Sequence, residues 1–369
     1  MRLSSACALL AALAFVRSPS LDAAAPPLAA PESAGFAAPR LQRLDAYMHS
    51  MVERGERAGI ATLVGRGGHI VQLGEYGLRD ISGRKPMRAD TLVRISGMTE
   101  PVTAVAVMML YEQGMLQLED PIGDYLPELA ARAVPEPRTK GAKGHIPAPS
   151  PTTIHQLLMG LPLPHPPGKA RAAAASADVL ARLVEVVAQQ PFEQFLEQKL
   201  FRPLNMVDTS FKVPPDKRDR LAEIYTAGAR GNGLRTVSQA PGSGGLVSTA
   251  LDFWNFAQML ANSGELDGVR ILSPATVALM FRDQLPPSER MNALAGHGFG
   301  LGLAVLTSPE SYGVAGTSGL VRSSGALGTT FWIDPDKQIV AILMTQHSGE
   351  PSERLTRAFQ ALVYQAVTD

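Results

Sequence analysis

The chain has 369 residues, 45% hydrophobic and 18% charged, enough apolar material for one large core. Its 34 basic and 34 acidic residues cancel, so no global field draws it to nucleic acid or an anionic membrane. Cys7 is the only cysteine and lies in an apolar N-terminal run, which excludes an internal disulfide, a thiol nucleophile and a thiolate metal site downstream.

Arg2, the apolar run Leu3–Val16 and an Ala-x-Ala site at Ala23–Ala25 read as a secretory signal over residues 1–25. The apolar run is too short to span a bilayer. Export, to the periplasm or the medium, is therefore expected. Ser4 stands where a lipoprotein signal carries Leu, so lipidation at Cys7 is not expected. No later segment is long and apolar enough to be transmembrane.

A Pro/Ala linker occupies residues 26–39, after which Leu41, Leu44, Met48, Met51 and Val52 recur at helical spacing. Ile60–Val64 and His69–Leu73 read as strands joined at Gly67-Gly68. Pro101 opens a helix made apolar on most of its surface by Val102, Val105, Ala106, Met109 and Leu110, hence central and buried, and Gly114 ends it. A loop follows over 134–151, then a short helix at Thr153–Leu158 and a Pro-rich run over 161–168. Val179, Leu180, Leu183, Val184 and Val187 mark an amphipathic helix, and Phe192–Leu200 another. Gly244–Thr249 leads into a helix containing Phe253, Phe256 and Met259. Strand signals at Gly300–Val305, Thr329–Ile333 and Ile339–Met344 precede a final helix from about Ser352. The class is α+β: one antiparallel sheet from N- and C-terminal segments, flanked by helices, in a domain over 40–367. A mostly helical subdomain is inserted at about 115–240.

Residues 94–103 read Arg-Ile-Ser-Gly-Met-Thr-Glu-Pro-Val-Thr. They resemble the nucleophile segment, R-I-A-S-M-T-K-P-V-T, of the serine β-lactamase-like family: class C β-lactamases, D-Ala-D-Ala peptidases and related esterases. Leu118–Ile122 with Tyr125-Leu126-Pro127, Pro166-Pro167-Gly168, Phe201–Met206, Gly244–Thr249 and Phe299–Gly302 extend the resemblance over roughly Pro31–Val367. It implies the β-lactamase-like architecture and a pocket where three elements converge. In S-x-x-K the Ser is acylated and the Lys takes its proton. A Y-x-N element shuttles a proton, and a K-T-G-like strand lines the opposite wall. Laid on without gaps, the Ser falls on Gly97 and the Lys on Glu100. The second element falls on Ala172–Ala175, with one residue fewer, and the third on Ser323-Ser324-Gly325. Nucleophile, base and shuttle are replaced while the scaffold segments persist, so loss of acyl-enzyme chemistry is expected.

The pocket positions implied are Gly97, Glu100, Ala172, Ala174, Arg322, Ser323 and Gly325, and no catalytic residue is assigned. Ser96 and Glu100 are the remaining candidates. Ser96 has no Lys in S-x-x-K spacing and reads as a helix cap, as does Thr99. Glu100 suits the start of a helix, and in a partly dry pocket its raised pKa would suit proton transfer. Arg322 offers either a cation for a carboxylate ligand or a surface ion pair. The one literal S-x-x-K, Ser82-Gly83-Arg84-Lys85, lies in a Gly-containing turn. His155, His165 and His297 could approach the cleft, but the seven histidines show no metal spacing. The glycines at 242, 244 and 245 lack a P-loop's Lys-Ser/Thr, so neither metal nor cofactor is expected. The leading reading is an exported, degenerate member of the fold that binds or scaffolds a small molecule, acyl- or carboxylate-bearing. One alternative is non-covalent acid–base chemistry by Glu100 on a carbonyl-containing small molecule. Another is an esterase, peptidase or acyltransferase using Ser96 as an off-register nucleophile.

Overall fold

The computed structural model describes residues 27–130, 151–161, 176–227, 233–237, 245–286, 294–349 and 353–369. The expected signal, the Pro-rich run beyond Leu161, His165 and Ala172–Ala175 lie outside these residues, as does most of the 134–151 loop. Among the described residues no helix is long and apolar enough to cross a membrane.

The first helix, α1 (Ala38–Glu53), buries Leu41, Leu44, Met48 and Met51 along one stripe. Strands β1 (Gly59–Arg66) and β2 (His69–Asp80) then form a hairpin. Gly67 (φ 57°) and Gly68 (φ 82°) supply the two positive φ angles that a tight right-twisting turn needs. After the short strands β3 (Lys85–Pro86) and β4 (Val93–Arg94), helix α2 (Thr99–Glu112) is buried almost all round, as its apolar surface requires.

The following stretch is largely helical, with α3 (Ser176–Ala188) its longest described helix. The helix expected at Phe192–Leu200 ends its α-helical part at Leu196 and widens into a π turn over Glu197–Phe201. Strand β5 (Val247–Ser248) returns beside β4 and leads into α4 (Ala250–Ala261).

The C-terminal strands are β6 (His297–Phe299), β7 (Ala304–Leu306), β8 (Val321–Ser324), β9 (Thr330–Asp334) and β10 (Ile339–Thr345), before the last helix, α5 (Glu353–Tyr364). The strand expected over Gly300–Val305 is mostly a turn. Gly302, at φ 78°, reverses the chain, and the two halves pair as β6 and β7.

The sheet order is β6-β7-β8-β9-β10-β1-β2-β3, so the two ends of the chain meet at β10 and β1. That pair runs antiparallel from Ile60 opposite Thr345 to Arg66 opposite Ile339. Both faces are covered. Ile339, Ala341 and Leu343 join α1 and α5 in one core, while Val340, Ile342 and Met344 join α2, α3 and α4 in the other. Phe253 of α4 meets Phe331 of β9 edge-on at 4.9 Å.

A buried polar knot fixes β5 and the start of α4. Asp252 accepts from the Asp208 backbone N–H at 2.7 Å and from Thr209 Oγ1 at 2.8 Å. Thr209 Oγ1 also meets Ser248 Oγ at 2.8 Å. Burial outweighs these bonds and pushes the Asp252 carboxyl up to about 6. The folded chain thus holds this proton more tightly than the unfolded chain does. The resulting stability is present below the ordinary aspartate range and is lost as pH rises through about 6. Asp252→Asn keeps an acceptor oxygen without the charge. It is expected to match or exceed the parent at pH 7.5, by at most about 3 kcal/mol, with the advantage gone near pH 4. Urea denaturation at the two pH values measures this. A variant equally destabilised at both would mean that the ionised carboxylate is required.

Candidate functional site

Three long-range ties hold the segment that opens α2. Ile95 donates its N–H to Leu246 O at 3.0 Å, extending the β4–β5 pair. The Gln346 side chain, beyond the end of β10, takes the Arg94 N–H at 3.1 Å and donates to Arg94 O at 3.0 Å. Thr329 Oγ1 donates to Ile95 O at 3.3 Å. The chain then passes through a 3-10 turn, Ser96–Met98, and into the helix. Ser323 Oγ donates to Gly97 O at 3.3 Å, so the end of β8 lies against this turn. Gly97, Ser323 and Gly325, matched to separate motifs in the sequence, are adjacent in space. Ala172 and Ala174 lie outside the described residues.

From Ile95 to Met108 every residue is buried except two: Gly97, half-buried, and Glu100, exposed. They are three apart, hence on one face of the turn. Among the described residues this face of the turn is the least covered, with the half-buried Ser323 and the Ser324 backbone carbonyl beside it. Glu100 has no hydrogen-bond or ion-pair partner among the described residues. Its carboxylate reaches solvent, yet surrounding protein displaces enough water to raise its pKa by desolvation.

Gly97 is set by space. A Cβ there would lie 2.5 Å from Ser324 O and 3.8 Å from Gly325 Cα, so the β8 backbone occupies the place a side chain would need. Ser96 has the opposite problem. It adopts a left-handed backbone (φ 48°), and its Oγ is buried without a hydrogen-bond partner. The expected cap is not made by Ser96, and no side chain caps α2. Nor, among the described residues, does any general base touch the Ser96 hydroxyl, the contact that would activate it. Thr99 does not cap either; its Oγ1 accepts the Leu246 N–H at 3.1 Å.

Arg322 must be corrected as a pocket cation. Strand alternation puts Ser323 on the α2 side, and so turns Arg322 to the face covered by α1 and α5. There it is buried, bonded to the Tyr312 hydroxyl and paired with Glu353 at 3.3 Å. His297 is buried edge-on against Tyr312, and His155 contacts Gln284 and Glu119. Among the described residues no group of three His, Cys, Asp or Glu is placed to hold a metal ion. Ser82 and Lys85 lie at an exposed turn, Ser82 bonded to Asp80 and Lys85 paired with Asp80 and Asp219. The anchoring roles of Gln346 and Thr329 escaped sequence reasoning, because each partner lies more than two hundred residues away.

The Ser96-Gly97 pair yields a stability test. Gly97→Ala forces β8 or the turn to move and is expected to cost about 1–3 kcal/mol, the scale of overpacking. Ser96→Gly relieves the left-handed strain and removes an orphaned hydroxyl, for a gain of up to about 1 kcal/mol. Urea midpoints decide both, and a neutral Gly97→Ala would show that β8 yields freely.

Residues 44–365 match the family model described as Beta-lactamase. The protein Rv1367c of Mycobacterium tuberculosis is 32% identical, over 83% of this chain and 90% of its own length. Esterase EstB of Burkholderia gladioli is 26% identical, over 87% and 94%. Among solved structures, unliganded simvastatin synthase (LovD) from Aspergillus terreus superposes with a TM-score of 0.74 at 21% identity, covering 89% of this chain and 98% of that one. The class C beta lactamase from Rhodobacter sphaeroides gives 0.63 at 16% identity, covering 87% and 98%. At these identities the structures speak to the fold, whereas the family model spans most of the sequence. The chain belongs to the beta-lactamase family.

Proposed function

We propose that this chain is an exported member of the family that has given up Ser–Lys acyl-enzyme chemistry and keeps the cleft over α2 for non-covalent binding of a small molecule. The observation that carries this is Gly97. It has no nucleophile, and the Ser324 carbonyl stands 2.5 Å from where its Cβ would be. Restoring a serine would therefore require moving β8. The carboxylate of Glu100 stands where the resemblance places the proton-accepting Lys. Its raised pKa favours a second reading, non-covalent acid–base work on a carbonyl compound. The off-register reading has less support, since the Ser96 hydroxyl contacts no base among the described residues.

Incubation with benzylpenicillin, or with a fluorophosphonate, followed by intact-mass measurement is expected to give no adduct. A stoichiometric adduct that Ser96→Ala abolishes would replace this reading with the off-register one. The Gly97→Ser, Glu100→Lys double variant is expected to stay inactive on p-nitrophenyl esters, because Ala172–Ala175 supply no proton shuttle and Ser323 does not replace the first side chain of the third motif. Measurable turnover by Gly97→Ser, Glu100→Lys would mean that those two positions alone separate this chain from an active enzyme.

Export rests on Arg2, the Leu3–Val16 run and Ala23–Ala25. N-terminal sequencing of protein from the native host is expected to begin near Pro26. Protein retained in the cytoplasm and beginning at Met1 would contradict export.

A further inference from the structure

We propose that a groove at the end of the sheet away from Gly97 binds a short apolar peptide in zwitterionic form, its carboxylate toward Arg282 and its ammonium toward Asp336. This site is separate from the Gly97 turn and stands whether or not acylation is lost.

The groove is a cavity of about 360 Å³ between the helix Pro274–Phe281 and the turn that joins β9 to β10. That volume lies in the range of small-molecule sites and far exceeds the ~30 Å³ share of one water molecule. Ser324, at one end of β8, lies against Gly97, whereas Ser318 and Gly319, ahead of Val321 at the other end, line the groove. At about 3.3 Å per strand residue, the length of β8 puts the two places roughly 10 Å or more apart.

The floor is apolar because of the helical period. Pro274, Val277, Ala278 and Phe281 fall at i, i+3, i+4 and i+7 in one stripe, and Leu260 of α4 and Pro335 line the cavity with them. The walls are held by the protein's own hydrogen bonds. Ser273 Oγ accepts the Thr276 N–H at 3.2 Å where the helix starts, and Leu301 donates its N–H to Met280 O at 3.0 Å near its end. The buried Asp334 accepts from Thr317 Oγ1 at 2.7 Å and from the Lys337 N–H at 3.0 Å. It thereby ties the loop carrying Ser318 to the turn carrying Asp336. Walls already in place spare a ligand the cost of ordering them.

Among the described lining residues, Arg282 and Asp336 are the only ionisable side chains. Arg282 ends the helix wall, Asp336 belongs to the turn wall, and no ion pair joins the two. A ligand with a single charge would match one of them and meet a like charge in the other. A zwitterion with an apolar body matches both and covers the stripe between them. Exposed ion pairs contribute little each, so the charges set orientation while apolar contact supplies most of the affinity.

The test uses the full chain and NMR titration with leucyl-leucine, N-acetyl-leucyl-leucine, leucyl-leucinamide and glycyl-glycine. Leucyl-leucine is expected to bind most tightly, and each capped form about two- to fivefold more weakly, the scale of one exposed ion pair. Glycyl-glycine, without the apolar body, should not bind measurably. Arg282→Gln should bring leucyl-leucine down to the level of its amide, and Asp336→Asn to the level of its acetylated form. Ala278→Trp, which fills the groove from an exposed position on the helix, should abolish binding while circular dichroism shows the fold retained. No binding of leucyl-leucine, equal binding of both capped forms and the parent peptide, or binding that survives Ala278→Trp would each overturn the proposal. Affinity lost on amidation but not on acetylation would indicate a site for anions and would overturn it equally.

Discussion

The pairing of β1 with β10 is the constraint on which the rest of this molecule depends. Seven consecutive pairs, from Ile60–Thr345 to Arg66–Ile339, join the two ends of the chain in the middle of one sheet. Once they are joined, Gln346 can reach Arg94, Thr329 can reach Ile95 and Ser323 can reach Gly97. The place of the Gly97 turn is a consequence of that closure, since the turn comes from the first third of the chain and the strand against it from the last. A long-range β pairing of this kind carries a large loop-closure cost, and the two cores on either face of the sheet must offset it.

The period of two along each strand then decides which chemistry faces which side. On β10 the alternation of Ile339, Ala341 and Leu343 with Val340, Ile342 and Met344 feeds two separate cores. On β8 the same rule sends Ser323 to the Gly97 turn and Arg322 to Tyr312 and Glu353. One residue of register separates a ligand-binding cation from a structural one.

At the floor, glycine and serine occupy each other's natural positions. Ser96 takes the left-handed backbone that glycine adopts freely, while Gly97 sits at a spot defined by the proximity of Ser324 O. Strain of this kind persists only where surrounding structure enforces it. Here the enforcing elements are the β4–β5 pair and the Gln346 bridge.

Much of the architecture was legible in the sequence because it rests on local chemistry. Gly67-Gly68 dictates a hairpin, the Val102–Leu110 pattern dictates a buried helix, and the spacing of the scaffold segments identifies the family. The identities of Gly97 and Glu100 at the two decisive positions were likewise readable. The sequence by itself therefore determined the fold class and the residue types, Gly97 and Glu100, that stand where α2 begins. Only the tertiary structure decided the rest. The turn at Gly300–Leu303, the burial of Arg322, the failure of Ser96 and Thr99 to cap, and the lack of room at residue 97 all depend on which atoms arrive from distant strands. Desolvation of Glu100 belongs in the same class. A residue's type sets its charge, but the water it loses is set by everything packed around it.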